Sequence, residues 1–173
     1  PAVAARQVCD AAPPVSLEGM QAPEVLGGRY ELRGVLGRGG MAEVRDAWDI
    51  RLGRPVAVKL LYPSVSTQPD TRRRFATEAR AAAVVSHPHV VAVHDFGEHD
   101  GSPFIIMERL PGRTLHDVMG AGPMAPYQVR AVLDDVLAGL SAAHAAGVLH
   151  RDIKPGNILL SASGVAEIRR VEK

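Results

Sequence analysis

From Tyr30 onward, apolar and polar positions alternate with a period of two, cut at intervals by glycine and proline. Runs over 30–36, 44–48 and 55–61 predict three strands. Over 70–85 the period changes: Phe75, Ala79, Ala82 and Val85 recur three and four residues apart, which predicts a helix with one apolar face. Two further strands are expected over 90–97 and 104–110, joined by a turn containing Asp100-Gly101, a dipeptide suited to a tight hairpin. A short helix is predicted over 114–119. The strongest helical pattern covers 126–146, where Val129, Val132, Leu133, Val136, Leu137 and Leu140 form one stripe. Pro126 suits the first turn of this helix, and Gly147 suits a stop. Segments 158–160 and 165–168 predict a last short hairpin.

Residues 1–28 break the pattern. They are rich in Ala and Pro without periodicity, and they read as a disordered leader with Met20 as a natural start. The leader has no compact apolar stretch of the signal-peptide kind. The chain has 173 residues, 46% hydrophobic and 23% charged, as a globular domain would. With 20 basic and 19 acidic residues the net charge is +1, which gives no electrostatic case for nucleic acid or an anionic membrane. No apolar run reaches the ~18 residues of a membrane span. Cys9 is the single cysteine, so neither a disulfide framework nor a thiolate zinc site is expected. Of the seven histidines, His87 and His89 flank Pro88, with no third ligand at a regular spacing.

Three segments carry candidate chemistry. The first is His150-Arg151-Asp152-Ile153-Lys154-Pro155-Gly156-Asn157. The second is Gly37-Arg38-Gly39-Gly40-Met41-Ala42-Glu43-Val44, between two predicted strands. The third is Pro55-Val56-Ala57-Val58-Lys59-Leu60-Leu61, an apolar strand with a lysine inside, followed by Glu78 on the next predicted helix. Taken singly, the second is a glycine hairpin, Lys59 an edge-strand lysine and Glu78 part of a solvated helix face. Taken together and in this order, they resemble the bacterial Ser/Thr protein kinases of eukaryotic type, from about Tyr30 to Ile168. Lys154, two residues after Asp152, resembles the Ser/Thr class rather than the tyrosine class.

The resemblance implies an α+β, protein-kinase-like fold. Its N-terminal lobe and hinge would span 29–110, as a five-stranded antiparallel sheet with one regulatory helix. An incomplete helical C-terminal lobe would span 111–168. It implies transfer of phosphate from ATP, with Mg2+, to Ser or Thr hydroxyls of a protein substrate. Asp152 would accept the hydroxyl proton, Lys154 would neutralise the transferring phosphoryl group, and Asn157 would hold the metal. Lys59 would reach the α- and β-phosphates while paired with Glu78. The nucleotide pocket would be formed by Leu36, Gly37, Gly39, Gly40, Val44, Ala57, Met107 as gatekeeper, Glu108 and Leu110 at the hinge, and Leu159 beneath the adenine. His150 would support the loop backbone, and Arg151 resembles the Arg that pairs with a phosphorylated activation loop. A cytoplasmic location is implied, with membrane anchoring conceivable only for a longer form.

One departure stands out. In this family an Asp-Phe-Gly motif follows the catalytic-loop Asn by roughly thirteen residues, and its Asp is the main metal ligand. At that distance from Asn157 the residue is Arg170, and no Asp follows Asp152. Residues 169–173 are therefore expected to be a tail unrelated to the family, on a truncated and inactive portion of a kinase. A non-catalytic, nucleotide-binding pseudokinase is the alternative.

Overall fold

The computed structural model describes residues 24–169. The expectations on Met20 and on the rest of 1–23 lie outside the described residues, as do those on 170–173. A six-stranded sheet comes first, built from β1 (Val25–Leu26), β2 (Tyr30–Arg38), β3 (Ala42–Asp49), β4 (Arg54–Leu61), β5 (Val93–His99) and β6 (Ser102–Glu108). Its strand order is β1-β2-β3-β4-β6-β5, antiparallel throughout. Between β4 and β5 run the short α1 (Pro63–Ser66) and α2 (Pro69–Ala83). A second sheet of three strands, β7 (Gly112–Thr114), β8 (Ile158–Ser161) and β9 (Ala166–Ile168), packs with α3 (Leu115–Gly120) and α4 (Pro126–Ala145).

Two boundaries differ from the expectation. The first sheet has a sixth strand, β1, inside the stretch read as leader. Leu26 is 2% exposed and packs in the core with Tyr30, Leu32 and Phe104. Two residues are too few to show an alternation, so only burial reveals the strand. In addition, Val90 and Val91 do not belong to β5. Val91 donates its N–H to Ile168 O at 3.0 Å, which ties this segment to the second sheet.

Strand β4 explains how a lysine can sit in an apolar run. Val56 and Val58 face one core with Tyr30, Leu32, Ala47 and Ile106. Ala57 and Leu61 face the other, with Phe75 and Ala79 of α2 and with Met107. Lys59 shares parity with Ala57 and Leu61, so it points to the α2 side. The Asp100-Gly101 turn forms as expected, with positive φ of 48° and 75° at its two residues.

Helix α4 lies against the second sheet. Val132 and Val136 pack with Ile158, Leu160, Ala166 and Ile168. Gly139 lets the helix approach the chain at His89, where an added Cβ would be 2.7 Å from the His89 carbonyl oxygen. Gln128 Oε1 accepts from the Ala125 N–H at 3.0 Å and closes the helix start behind Pro126. At the other end Gly147 has φ of 73°, and Val148 N–H returns to Ala143 O at 2.9 Å. The expected single stripe divides in two: Val132 and Val136 are buried, while Val129, Leu133 and Leu137 are exposed. The apolar arc of α4 is wider than the three short strands can cover.

Candidate functional site

A cavity of about 890 Å³ opens between the first sheet with α2 and the segment 151–157. Its wall includes Gly37, Gly39, Gly40, Val44, Lys59, Glu78, Met107, Lys154 and Asn157. Of the glycines, neither Gly37 nor Gly40 has a positive φ, and an added Cβ at either would meet nothing within 4 Å. Nothing among the described residues requires a glycine there. Open space over these two backbones is what a closely approaching ligand would need.

Lys59 and Glu78 form an ion pair, each side chain about one-sixth exposed, at 17% and 15%. The ammonium also lies 5.4 Å from the centroid of the Phe75 ring. Glu78 follows Phe75 by three positions on α2, so the buried face that docks the helix also aims the carboxylate at β4. The helix begins at Pro69, with Asp70 in its first turn.

Across the cavity the 150–157 segment is held from inside. His150 is 2% exposed. Its Nδ1 accepts from the Asp152 N–H at 3.3 Å, which assigns the proton to Nε2, 3.2 Å from the Arg169 carbonyl oxygen. This is the supporting role expected of it. Arg151 takes a left-handed φ of 57°, and Asp152 N–H bonds to His150 O at 2.8 Å across it. That sharp turn presents Asp152 to its neighbours. Lys154 Nζ is 2.8 Å from Asp152 Oδ2. Asn157 donates its Nδ2 protons to Asp152 O and Oδ2, both at 2.9 Å. Both partners are acceptors only, so the amide orientation is determined. Asp152 is thus fixed to the cavity wall through Lys154 and Asn157.

The other expected residues are placed less uniformly. Ala57, Leu110 and Leu159 share the apolar cluster of Met107 and Val44, beside the cavity. Leu36 is 41% exposed and lies outside the wall. Glu108 also lies outside it, and its N–H is taken by Ala92 O at 2.9 Å. Its side chain instead lines a second cavity of about 530 Å³ with Glu167. Burial, and then the nearby Glu108 carboxylate, push the Glu167 carboxyl above its ordinary range.

The protein kinase domain family matches residues 30–169. The chain belongs to this family. Over 86% of its length it is 44% identical to a probable serine/threonine-protein kinase of Streptomyces coelicolor, covering 23% of that protein. It is also 44% identical to the serine/threonine-protein kinase PknB of Mycobacterium leprae, over 86% of this chain and 25% of that protein. Among solved structures, a crystal structure of the Mycobacterium tuberculosis PknI kinase domain is 31% identical with a TM-score of 0.75, covering 87% of this chain and 60% of that one. The chain therefore spans about a quarter of the length of the curated relatives it matches, and the fold is that of a protein kinase.

The kinase match reaches one residue past Ile168. Arg169 falls inside it, although the sequence places this residue in an unrelated tail. The structure ties it to the 150–157 segment: its N–H donates to Asn157 O at 2.8 Å, and its Nη2 donates to Gly156 O at 2.9 Å. Arg169 also lines the cavity with Arg38, Arg73, Arg74 and Arg151. Sequence reasoning did not bring these arginines together on one cavity wall. Arginines are common on surfaces, and their convergence depends on the two lobes meeting.

Protein kinases use ATP with Mg2+. Among the described residues the donor set for that metal is incomplete. Asn157 offers one neutral amide oxygen, because its nitrogen is committed to Asp152. Asp152 Oδ2 already accepts from Lys154 and Asn157. No group of three His, Cys, Asp or Glu stands together among the described residues. A hard divalent cation prefers several carboxylate or phosphate oxygens, so these residues do not make a full metal site. None of the described helices is long and apolar enough to cross a membrane.

Proposed function

We propose that this chain carries the ATP-binding and hydroxyl-orienting part of a protein serine/threonine kinase. The observation that carries this reading is the facing arrangement across one cavity. The Lys59–Glu78 pair and the glycine turn lie on one side, and the Asp152–Lys154–Asn157 cluster lies on the other.

Glu78 holds Lys59 where it can meet phosphate oxygens. The backbone at Gly37 and Gly40 leaves room for those phosphates. Val44, Ala57, Met107 and Leu159 offer the apolar surface an adenine ring needs. Asp152 is placed to accept the proton of a Ser or Thr hydroxyl as its oxygen bonds to the terminal phosphorus and the bond to ADP breaks. Lys154, already beside the Asp152 carboxylate, balances charge on the phosphoryl group in flight. His150 acts only through the loop backbone. The protein substrate is recognised by its hydroxyl, and the reaction belongs in the cytoplasm, where ATP is supplied.

Titration of the purified chain with ATP, followed by calorimetry, tests the reading. Lys59→Met should weaken binding about tenfold, as expected for one charge-assisted phosphate contact. Equal affinities would remove Lys59 from the site. The rate of transfer from radiolabelled ATP to a basic protein should be negligible for this chain, because the metal-donor set among its described residues is incomplete. Robust transfer that disappears in Asp152→Asn would overturn that expectation.

A further inference from the structure

The junction between the two lobes carries two carboxylates outside the larger cavity. Glu108 ends β6 of the first sheet, and Glu167 lies in β9 of the second. Both line the cavity of about 530 Å³, together with Ser86, His87, Val90 and Val93. Neither carboxylate is held by a hydrogen bond or an ion pair among the described residues. By contrast, Asp49, Asp95 and Asp135 each accept a hydrogen bond. Backbone bonds between the lobes run beside the pair. Val91 donates its N–H to Ile168 O at 3.0 Å, and Ile168 donates its own to His89 O at 2.9 Å. Ile168 directly follows Glu167, so a force between Glu167 and Glu108 acts on these bonds. Val93 lines both cavities, which makes the junction the wall between them.

The other charged groups around the pair are few. His89, in the 87–91 segment, acts on Glu167. Its ring is occupied on both sides: Nδ1 lies 2.9 Å from the Ala166 carbonyl oxygen, and Nε2 lies 3.5 Å from Asp135 of α4. His87 shares the cavity wall, with its ring 5.4 Å from that of His89. On the β6 side, His94 of β5 is lowered by burial first, then by Arg54 of β4, with Glu108 opposing. Around Glu167, burial and then the Glu108 charge raise the carboxyl more than His89 lowers it.

We propose that Glu108 and Glu167 form a proton-controlled latch between the lobes: with both ionised they repel and loosen the junction, and with one protonated its O–H bonds the other carboxylate and the junction closes. The step is proton exchange with water, and no bond between heavy atoms changes. The two carboxylates titrate as one coupled pair. A carboxyl raised in the folded state holds its proton more tightly there than in the unfolded chain. The stability of the closed junction is therefore complete below the ordinary 4.5 and is lost as pH rises through the raised value. The latch acts with or without a nucleotide, so its test needs none.

Hydrogen exchange of the whole chain, followed by NMR from about pH 5 to about pH 8 and corrected for intrinsic rates, tests the latch. In the parent, protection of the Val91 and Ile168 N–H groups should fall by about threefold or more as pH rises over that range, while β3 and β4 stay unchanged. Glu167→Gln and Glu108→Gln each keep the shape and remove the charge, and thermal melts check their folding. Each should hold the protection of Val91 and Ile168 near its low-pH level at the alkaline end. The double variant should gain no more than the better single one, since either substitution alone ends the repulsion. Protection that falls equally in the parent and in both single variants would overturn the proposal, as would a fall shared equally by β3 and β4. Additive gains in the double variant would also overturn it, because the two carboxylates would then act independently.

Discussion

Asp49, at the end of β3, is 1% exposed yet ionised. Arg29 meets it in a fork, donating from Nε and Nη2 to the two carboxylate oxygens at 2.9 and 2.7 Å. The N–H groups of Arg51 and Leu52 bond the same carboxylate at 3.1 and 3.2 Å. The guanidinium hydrogen bonds hold the carboxyl at about 2, below the ordinary 3.8, although burial alone would raise it. A depressed folded pKa means that the stabilisation is complete above the unfolded value and is lost as pH falls from about 4 through about 2. Asp49→Asn should cost about 2 kcal/mol at neutral pH, in the range for hydrogen bonds to a charged group. Urea melts of parent and variant from pH 7 down to pH 2.5 should show the gap closing below pH 4. A constant gap would show that another group carries the acid sensitivity.

At the scale of elements, α4 and its neighbours show how close approach sets the lower lobe. Gly-to-Ala exchange inside a helix ordinarily stabilises by about 0.5–1 kcal/mol. At Gly139 the added methyl would lie 2.7 Å from the His89 carbonyl oxygen and 3.0 Å from Ile168 Cδ1. Backbone at that distance cannot yield without moving the 87–91 segment, and this segment also bonds β9. Gly139→Ala should therefore destabilise by about 2 kcal/mol, as overpacking does. A rise in the thermal midpoint would mean that helix and loop separate more easily than the packing implies. The capping of α3 is the simpler case: Thr114 and Asp117 exchange bonds, with Asp117 N–H to Thr114 Oγ1 and Thr114 N–H to Asp117 Oδ2, each at 3.1 Å.

Over the whole molecule, the two sheets differ in how well they are covered. The first has buried clusters on both faces. The second lies under one face of α4, while Val129, Leu133 and Leu137 on the other face are 41%, 54% and 61% exposed. Three aliphatic side chains four residues apart form a continuous apolar strip, and such a strip promotes association in water. Leu133→Lys with Leu137→Lys should lower the concentration-dependent light scattering of the chain and leave its thermal midpoint nearly unchanged, since little buried area is lost. Unchanged scattering would place the associating surface elsewhere. A large fall in the midpoint would show that the strip is covered in solution.

The sequence by itself was enough for the family and for most of the elements. Asp152, Lys154 and Asn157 lie within six consecutive residues, and β-strand parity alone aims Lys59 toward α2. Such information is local, because spacing and period are properties of the chain. Short-range signals also placed the Asp100-Gly101 turn, the Gly147 stop and the 126–146 helix. Tertiary structure decided what no window of sequence contains. It added β1, whose two residues matter only because Leu26 is buried. It divided the α4 stripe, because burial depends on how far the opposing strands reach. It turned Glu108 toward Glu167 and away from the larger cavity. And it drew Arg169 onto the 150–157 segment, by hydrogen bonds to Asn157 and Gly156 that form only when β9 folds back beside β8.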